Sequence, residues 1–412
     1  MDASQESHET KAVPAQTRIY YLDWLRVLAI LMVFLFHAVH VFDFGTWQIK
    51  NPERSDIITV ILIIMSLWGM PFFFLTAGTA SWFALQHRTA RQYAVERFKR
   101  LLVPFVIGSL LFSPIQYYLE WMNRSQLGIV SVSFQAFLRA EIPPFDPTLL
   151  RFPGFSPRWF GVAGFHLWFV GFLFGFALLS LPLFRWFKSS AGNRFISRLA
   201  QICEHRGGIC VLFLPLLVLQ LCVRPFSNLE HDWGDFIFMM FFFVLGYLLY
   251  ADERLTRAIR RDWWILLALG TVILVGLLGL YLAGVPVITW GLDNSYPQFY
   301  WILCLTTIFA LCYSLTMLFV GMRFLDFTNQ WLRYGQEAAL PFFVLHQPAI
   351  VIIAFFVVQW NASIAAKLPV VVLGSFLAAL GVYELVIRRI RPFRLFFGMK
   401  SHRPELAHIG KE

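Results

Sequence analysis

The chain has 412 residues, of which 58% are hydrophobic and 14% are charged, and its mean hydropathy is +0.64. Soluble domains average about 45–50% apolar and about 25% charged residues. The composition therefore excludes a soluble domain and predicts an all-α integral membrane protein. The five cysteines form no closely spaced pair, so we expect neither a disulfide framework nor a metal site.

Residues 1–20 are mostly polar and lack the basic region and cleavage site of a signal peptide, so we expect a disordered cytoplasmic tail. Residues 21–396 should form a single multi-span domain, and 397–412 a second cytoplasmic tail. About ten apolar segments are long enough to cross a bilayer as helices. They lie near 22–43, 57–85, 101–121, 162–184, 208–223, 235–250, 263–284, 298–320, 337–358 and 369–387.

The basic residues give the orientation. With a cytoplasmic N-terminus, 25 of the 34 lysines and arginines lie in inner segments and 8 in outer ones, and Arg26 is the remaining one. Inner loops of membrane proteins carry this excess of basic residues. Both termini are therefore predicted to be cytoplasmic. The same bias explains the net charge of +10 without any nucleic-acid partner.

The first apolar segment carries Arg26 and His37, eleven positions apart. At about 100° per residue, both side chains fall within about 20° on one helix face, about 16 Å apart along the axis. Asp23 and His40 extend the same stripe at its two ends. Ionisable groups in a membrane helix usually face a protein interior or a watery cavity. The stripe therefore indicates the wall of a site, although Asp23 and Arg26 could simply anchor the helix end.

Two features suit the inner side of the membrane. A basic cluster that includes Arg97 and Arg100 precedes the third span, and arginine binds phosphate through paired hydrogen bonds. The alternative is that this cluster only sets topology. Gly78 lies among small residues in the second span, where it could admit a thin ligand or allow close helix packing.

Three later residues could contact a substrate. His166 and Trp168 begin the fourth span, which places them towards the outer face. His346 lies between Pro341 and Pro348 near the middle of the ninth span. His346 could instead be a satisfied core histidine, and His166 beside Trp168 could instead belong to an interfacial aromatic anchor.

Two acidic residues predict structural ion pairs. Asp23 lies one turn before Arg26 on the first segment. Glu384 lies low in the tenth span, where Arg388 on the next turn or Arg26 across the bundle could pair with it.

These features together predict a polar path with a phosphate-binding inner mouth, a histidine in the membrane and a second polar opening outside. A histidine there can act as a general base near neutral pH. The alternative to an enzyme is a secondary transporter or proton-coupled channel, although the chain shows no internal repeat. A membrane component without catalytic activity is a third reading.

The motifs resemble those of the membrane-bound acyltransferase-3 family over nearly the whole chain. Arg26 and His37 in YLDWLRVLAILMVFLFH match the family's arginine, ten residues, histidine pattern. PFFFLTAGTASWF and VERFKRLLVPF resemble its second- and third-span elements. FHLWFV, LPFFVLHQPAIV and VYELVIRRIRPFRLFFG most resemble the branch that contains the periplasmic-glucan succinyltransferase.

The resemblance implies an O-acyltransferase of the bacterial inner membrane. It would move an acetyl, succinyl or similar group from acyl-CoA to a hydroxyl of an extracytoplasmic glycan or related acceptor, with no permanently bound cofactor. His37 would take the hydroxyl proton or carry the acyl group transiently, and Arg26 would steady the donor or the oxyanion. The remaining roles are CoA binding by Arg97, Arg100 and Gly78, and acceptor binding by His40, His166, Trp168 and His346.

Overall fold

The computed structural model describes residues 19–141, 156–227 and 229–399. It is all-helical, with 82% helix and no strand in these ranges, and ten of its helices are long and apolar enough to span a membrane. The predicted fold class and number of spans are confirmed. The two predicted tails fall almost entirely outside the described residues, and the orientation of the termini stays a prediction.

We number the ten spanning helices in chain order. They are α1 (Tyr20–Phe42), α2 (Asp56–Gln86), α3 (Ala90–Gln126), α4 (Arg158–Leu179), α5 (Gly208–Phe226), α6 (Trp233–Ala251), α7 (Glu253–Leu282), α8 (Phe299–Phe324), α9 (Gln330–Val357) and α10 (Ile364–Ile387). Helices satisfy every backbone hydrogen bond internally, which is what a segment in hydrocarbon requires.

Several spans begin or end away from the predicted boundaries, and local structure explains the difference for two of them. The third starts earlier, at Ala90, because Thr89 and Gln92 form a reciprocal capping box at its N-terminus. The fourth ends at Leu179 instead of continuing to position 184, since a turn at Ser180 begins a separate short helix, Leu181–Phe187, with proline in its first turn.

Helix α9 is the centre of the bundle. In its most apolar stretch 72% of the residues are buried, against 17% in the peripheral helix α7. Helices α1, α3 and α10 pack against α9. The polar side chains in the middle of α9, His346 and Gln347, are therefore enclosed by protein.

The segment between α1 and α2, residues 43–55, folds back over the bundle. The predicted orientation places it outside, so we call it the outer segment, and we call its end of the bundle the outer end and the opposite end the inner end. Its backbone bonds to the end of α1 through Asn51 N to Val41 O (3.0 Å) and Ser55 N to Phe42 O (2.8 Å). Ile49 and Asn51 are completely buried. This segment forms the outer rim of the site described next.

Candidate active site

Three histidines from three helices converge inside the bundle. The ring centres of His37 (α1) and His346 (α9) are 5.4 Å apart, His166 (α4) lies 4.8 Å from His346, and His37 and His166 are separated by 6.4 Å. His166 and His346 are buried. We call these three residues the histidine cluster. Sequence reasoning selected each histidine separately, and the structure brings them together.

One backbone carbonyl, that of Phe343, fixes which ring nitrogen carries hydrogen in two of these histidines. Phe343 O accepts a hydrogen bond from His346 Nδ1 (2.6 Å) and another from His166 Nε2 (3.1 Å). A carbonyl oxygen can only accept, so both of those nitrogens carry hydrogen. The opposite nitrogens, His346 Nε2 and His166 Nδ1, are therefore lone-pair acceptors in the neutral rings. Neither has a hydrogen-bond partner among the described residues, and the same holds for His37 Nδ1.

His37 lies near the C-terminal end of α1. It is five positions before Phe42, the end of α1, which corresponds to about 8 Å along the axis. The cluster is therefore closer to the extracytoplasmic side, if the predicted orientation holds.

Trp47 of the outer segment covers the cluster from outside. Its ring stacks on His37 at 6.1 Å between ring centres and 19° between planes, and on His40 at 5.8 Å and 29°. Phe36 also contacts both histidines edge-on or tilted. His40 thus lies in the rim above the cluster, and its ring continues the polar stripe of α1.

A network of ion pairs and hydrogen bonds around Asp43 holds this rim in place. His40 Nδ1 is 2.7 Å from Asp43 Oδ1, and Lys50 Nζ pairs with the same carboxylate oxygen and also donates to His40 O (2.6 Å). Burial by itself would raise the pKa of Asp43, but hydrogen bonds and charge from His40 and Lys50 outweigh it and hold the pKa below its ordinary value. Burial lowers the pKa of Lys50, and Asp43 opposes part of this shift.

The inner end of the bundle carries a basic groove of about 1040 Å³. Arg88, Arg91, Lys99 and Arg100 line one side, and residues 395–399 include the apolar part of the other. Glu96 lies in the same groove and pairs with Arg88 (2.7 Å) and Arg100 (3.4 Å). The groove is thus net basic, and its size and charge suit a large phosphate-bearing ligand.

The match to known families follows this geometry. The model of the acyltransferase-3 family, described as an acyltransferase domain, matches residues 19–384, which contain all ten spans. The chain belongs to this family. No curated protein and no solved structure matches it. The protein is therefore a multi-pass membrane acyltransferase rather than a secondary transporter.

Arg26 does not reach the histidine cluster in this acyltransferase. Because α1 is unbroken between the two residues, Arg26 lies about 16 Å from His37 along the axis, more than twice the reach of its side chain. It instead bonds Asp23 at 3.1 Å, as one of the predicted ion pairs. Arg26 is thus too far from His37 to touch an oxyanion formed beside that ring, and its role in steadying the donor stays a prediction.

The other three residues predicted to bind the CoA donor do not lie in one place. Arg100 lines the basic groove, whereas Arg97 lies over the ring of Tyr93 at 4.7 Å and is not part of the groove lining. Gly78 is buried against α6, where any side chain would overlap the carbonyl of Phe243. Close helix packing accounts for Gly78 without a ligand, and its assignment to the donor site stays a prediction.

Two further predicted residues lie away from the cluster. Trp168 points from α4 towards His231, with 4.4 Å between ring centres, and does not join His166 in one pocket. Glu384 pairs with Arg388 at 2.9 Å on the next turn, the first of the two partners considered. No group of three His, Cys, Asp or Glu side chains able to hold a metal ion occurs in the described ranges.

Sequence reasoning missed the polar residues around the cluster. Trp47 and Asp43 lie in a short outer segment with no pattern that marks them. Gln116 and Gln347 carried a usable signal, since each is an amide inside an apolar span. Gln347 directly follows His346, which could have marked it as part of the same site.

Proposed function

We propose that this acyltransferase moves an acyl group from cytosolic acyl-CoA to a hydroxyl of an extracytoplasmic glycan or related envelope acceptor. The observation that carries the proposal is the histidine cluster, in which three rings converge and each has one ring nitrogen without a hydrogen-bond partner among the described residues. The basic groove at the opposite end supports a donor that enters from the cytosol. The excess of basic residues in the inner segments supports this orientation, and the protein would then lie in a bacterial inner membrane.

His37 acts as the general base in this proposal. The acceptor hydroxyl donates its hydrogen bond to the unpaired His37 Nδ1, and the imidazole takes the proton as the oxygen attacks the thioester carbonyl. The new carbon–oxygen bond forms, the carbon–sulfur bond breaks, and the proton passes to the departing CoA sulfur. A positioned base of this kind contributes about 10²–10⁴ to the rate.

His166 and His346 keep the reacting space polar and neutral. Their protonated nitrogens are held by the Phe343 carbonyl, so their lone pairs point away from that carbonyl. Lone pairs near His37 favour an incoming hydroxyl donor over another acceptor. They also stabilise the imidazolium that forms transiently on His37.

The donor occupies the length of the bundle. Acyl-CoA is elongated, with phosphates at one end and the thioester at the other, which matches a basic inner groove and a histidine cluster far from it. Arg26 lies between these two ends, and its side chain is 37% exposed. We assign it to the donor's polar arm, since its distance from His37 excludes direct contact with the reacting carbonyl.

A vesicle experiment tests the whole proposal. Purified protein is reconstituted with its inner groove facing outward, acyl-CoA is added outside, and a glucose oligomer is enclosed inside. Mass spectrometry should detect acylated oligomer inside the vesicles, with free CoA outside. Vesicles that contain the His37→Ala variant serve as the control. No acylated product from the wild-type protein, with either acetyl- or succinyl-CoA, would contradict the proposal.

A further inference from the structure

Three buried glutamines meet beside the histidine cluster. Gln347 of α9 donates through Nε2 to Gln48 Oε1 of the outer segment and to Gln116 Oε1 of α3, both at 3.2 Å. Their exposed fractions are 2%, 7% and 1% for Gln347, Gln48 and Gln116. We call these three residues the amide cluster. It is polar, enclosed, and outside the reaction steps described above.

The hydrogen bonds of the amide cluster leave one atom without a partner. Both neighbouring oxygens accept from Gln347, so its two amide hydrogens are fully used. Gln347 Oε1 has no hydrogen-bond partner among the described residues. A buried carbonyl oxygen without a donor is unfavourable, so this atom favours a ligand that brings a hydrogen-bond donor.

The amide cluster adjoins the histidine cluster along the chain. Gln347 directly follows His346, and consecutive Cα atoms are about 3.8 Å apart. Gln48 likewise follows Trp47, whose ring stacks on His37. The amide cluster and the histidine cluster are thus joined through two pairs of neighbouring residues, one on α9 and one on the outer segment.

We infer that Gln347 Oε1 binds a second hydroxyl of the acceptor, while the reacting hydroxyl is held at His37. The inference rests on the proposed acyl transfer and adds a selection rule to it. A polyhydroxylated substrate can donate one hydrogen bond to His37 and another to Gln347 Oε1 at the same time. A simple alcohol leaves Gln347 Oε1 unpaired, so the site selects sugars and other polyols over single alcohols.

The test compares polyols with an alcohol of matched size. Ethylene glycol and propanol differ only in a hydroxyl that is replaced by a methyl group, and glycerol offers a wider spacing of hydroxyls. We expect the wild-type protein to use at least one of the polyols about tenfold better than propanol in kcat/KM, because one hydrogen bond of ordinary strength corresponds to a factor of this order.

The variant Gln347→Met removes the oxygen and keeps an unbranched side chain of similar length. Its kcat/KM for the polyols should fall to the propanol value, while its transfer to propanol stays within about twofold of wild type, since Gln347 takes no part in the proton transfer. Gln220→Met is the matched control. Gln220 is also buried, on α5, and its Oε1 is likewise without a partner in the described ranges. This control should keep the wild-type preference.

Three results would overturn the inference, and the first two concern the preference itself. They are a wild-type protein without preference for the polyols and a Gln347→Met protein that keeps it. The third is an equal loss of transfer to propanol and to the polyols in Gln347→Met, which would show a purely structural role. If the wild-type protein acylates no hydroxyl compound at all, the proposed function fails instead.

A second variant covers the case in which Gln347→Met does not fold. Gln48→Met changes only the outer segment and removes one of the two oxygens that orient the Gln347 amide. It should reduce the preference for polyols by several fold, with unchanged transfer to propanol. An unchanged preference in this variant would count against the inference.

Discussion

The replacement of His37 is the most direct test of the active site. His37→Ala removes the imidazole, and His37→Gln keeps polar volume without a base of similar strength. Both variants should lower kcat by about 10²–10⁴, which corresponds to about 3–5 kcal/mol in the barrier. The KM for acyl-CoA should change little, because the basic groove lies at the other end of the bundle.

The neighbouring histidines limit any rescue. The ring of His346 is 5.4 Å from that of His37, and its protonated nitrogen is fixed by the Phe343 carbonyl. A misplacement of about 1 Å can already cost about 10² in rate. His346 therefore cannot simply replace His37. The fold should survive, since the main lost contact is stacking on Trp47, worth about 0.5–1.5 kcal/mol.

The assay is single-turnover acyl transfer by detergent-purified protein, with a melting curve for each variant. His205→Ala, an exposed histidine on the inner side of the bundle, is the control and should behave as wild type. Retention of more than about a tenth of wild-type kcat by both His37 variants would lie outside the range for a general base. It would remove His37 from the mechanism.

Three further predictions follow from the inner groove, the rim and the topology. Arg100→Ala should raise the KM for acyl-CoA about three- to tenfold, which is less than the loss of a desolvated contact would give, because the side chain is 40% exposed. Arg97→Ala should raise the KM less. A KM equal to that of wild type in rate assays with varied acyl-CoA would show that the groove does not bind the donor. Asp43→Asn should lower stability by about 3 kcal/mol, since it leaves Lys50 buried without its partner charge. Because the folded pKa of Asp43 is below its ordinary value, this stabilisation is complete above about pH 4 and is lost as the pH falls through the folded pKa; melting curves of wild type and variant should therefore converge in acid, and a constant difference would contradict the assignment. A reporter fused to the C-terminus should be cytoplasmic, and an extracytoplasmic signal would reverse the site's orientation.

The sequence alone determined the membrane class, the ten spans and the face that carries Arg26 and His37. These features are local. Hydrophobic length sets a span, and the helical repeat of 3.6 residues places two side chains on one face without any knowledge of neighbouring helices. The boundaries of α3 and α4 differed because a capping box and a proline-containing turn decide where a helix begins and ends.

The composition of the site was decided by tertiary structure. Nothing in the spacing of His166 and His346 shows that one carbonyl holds both, since the residues lie 180 positions apart and meet only through the packing of α4 on α9. Trp47 reaches the cluster because the outer segment folds back onto α1. Gly78 shows the converse case, since a small residue suits a ligand and a close helix contact equally until the neighbouring helix is known.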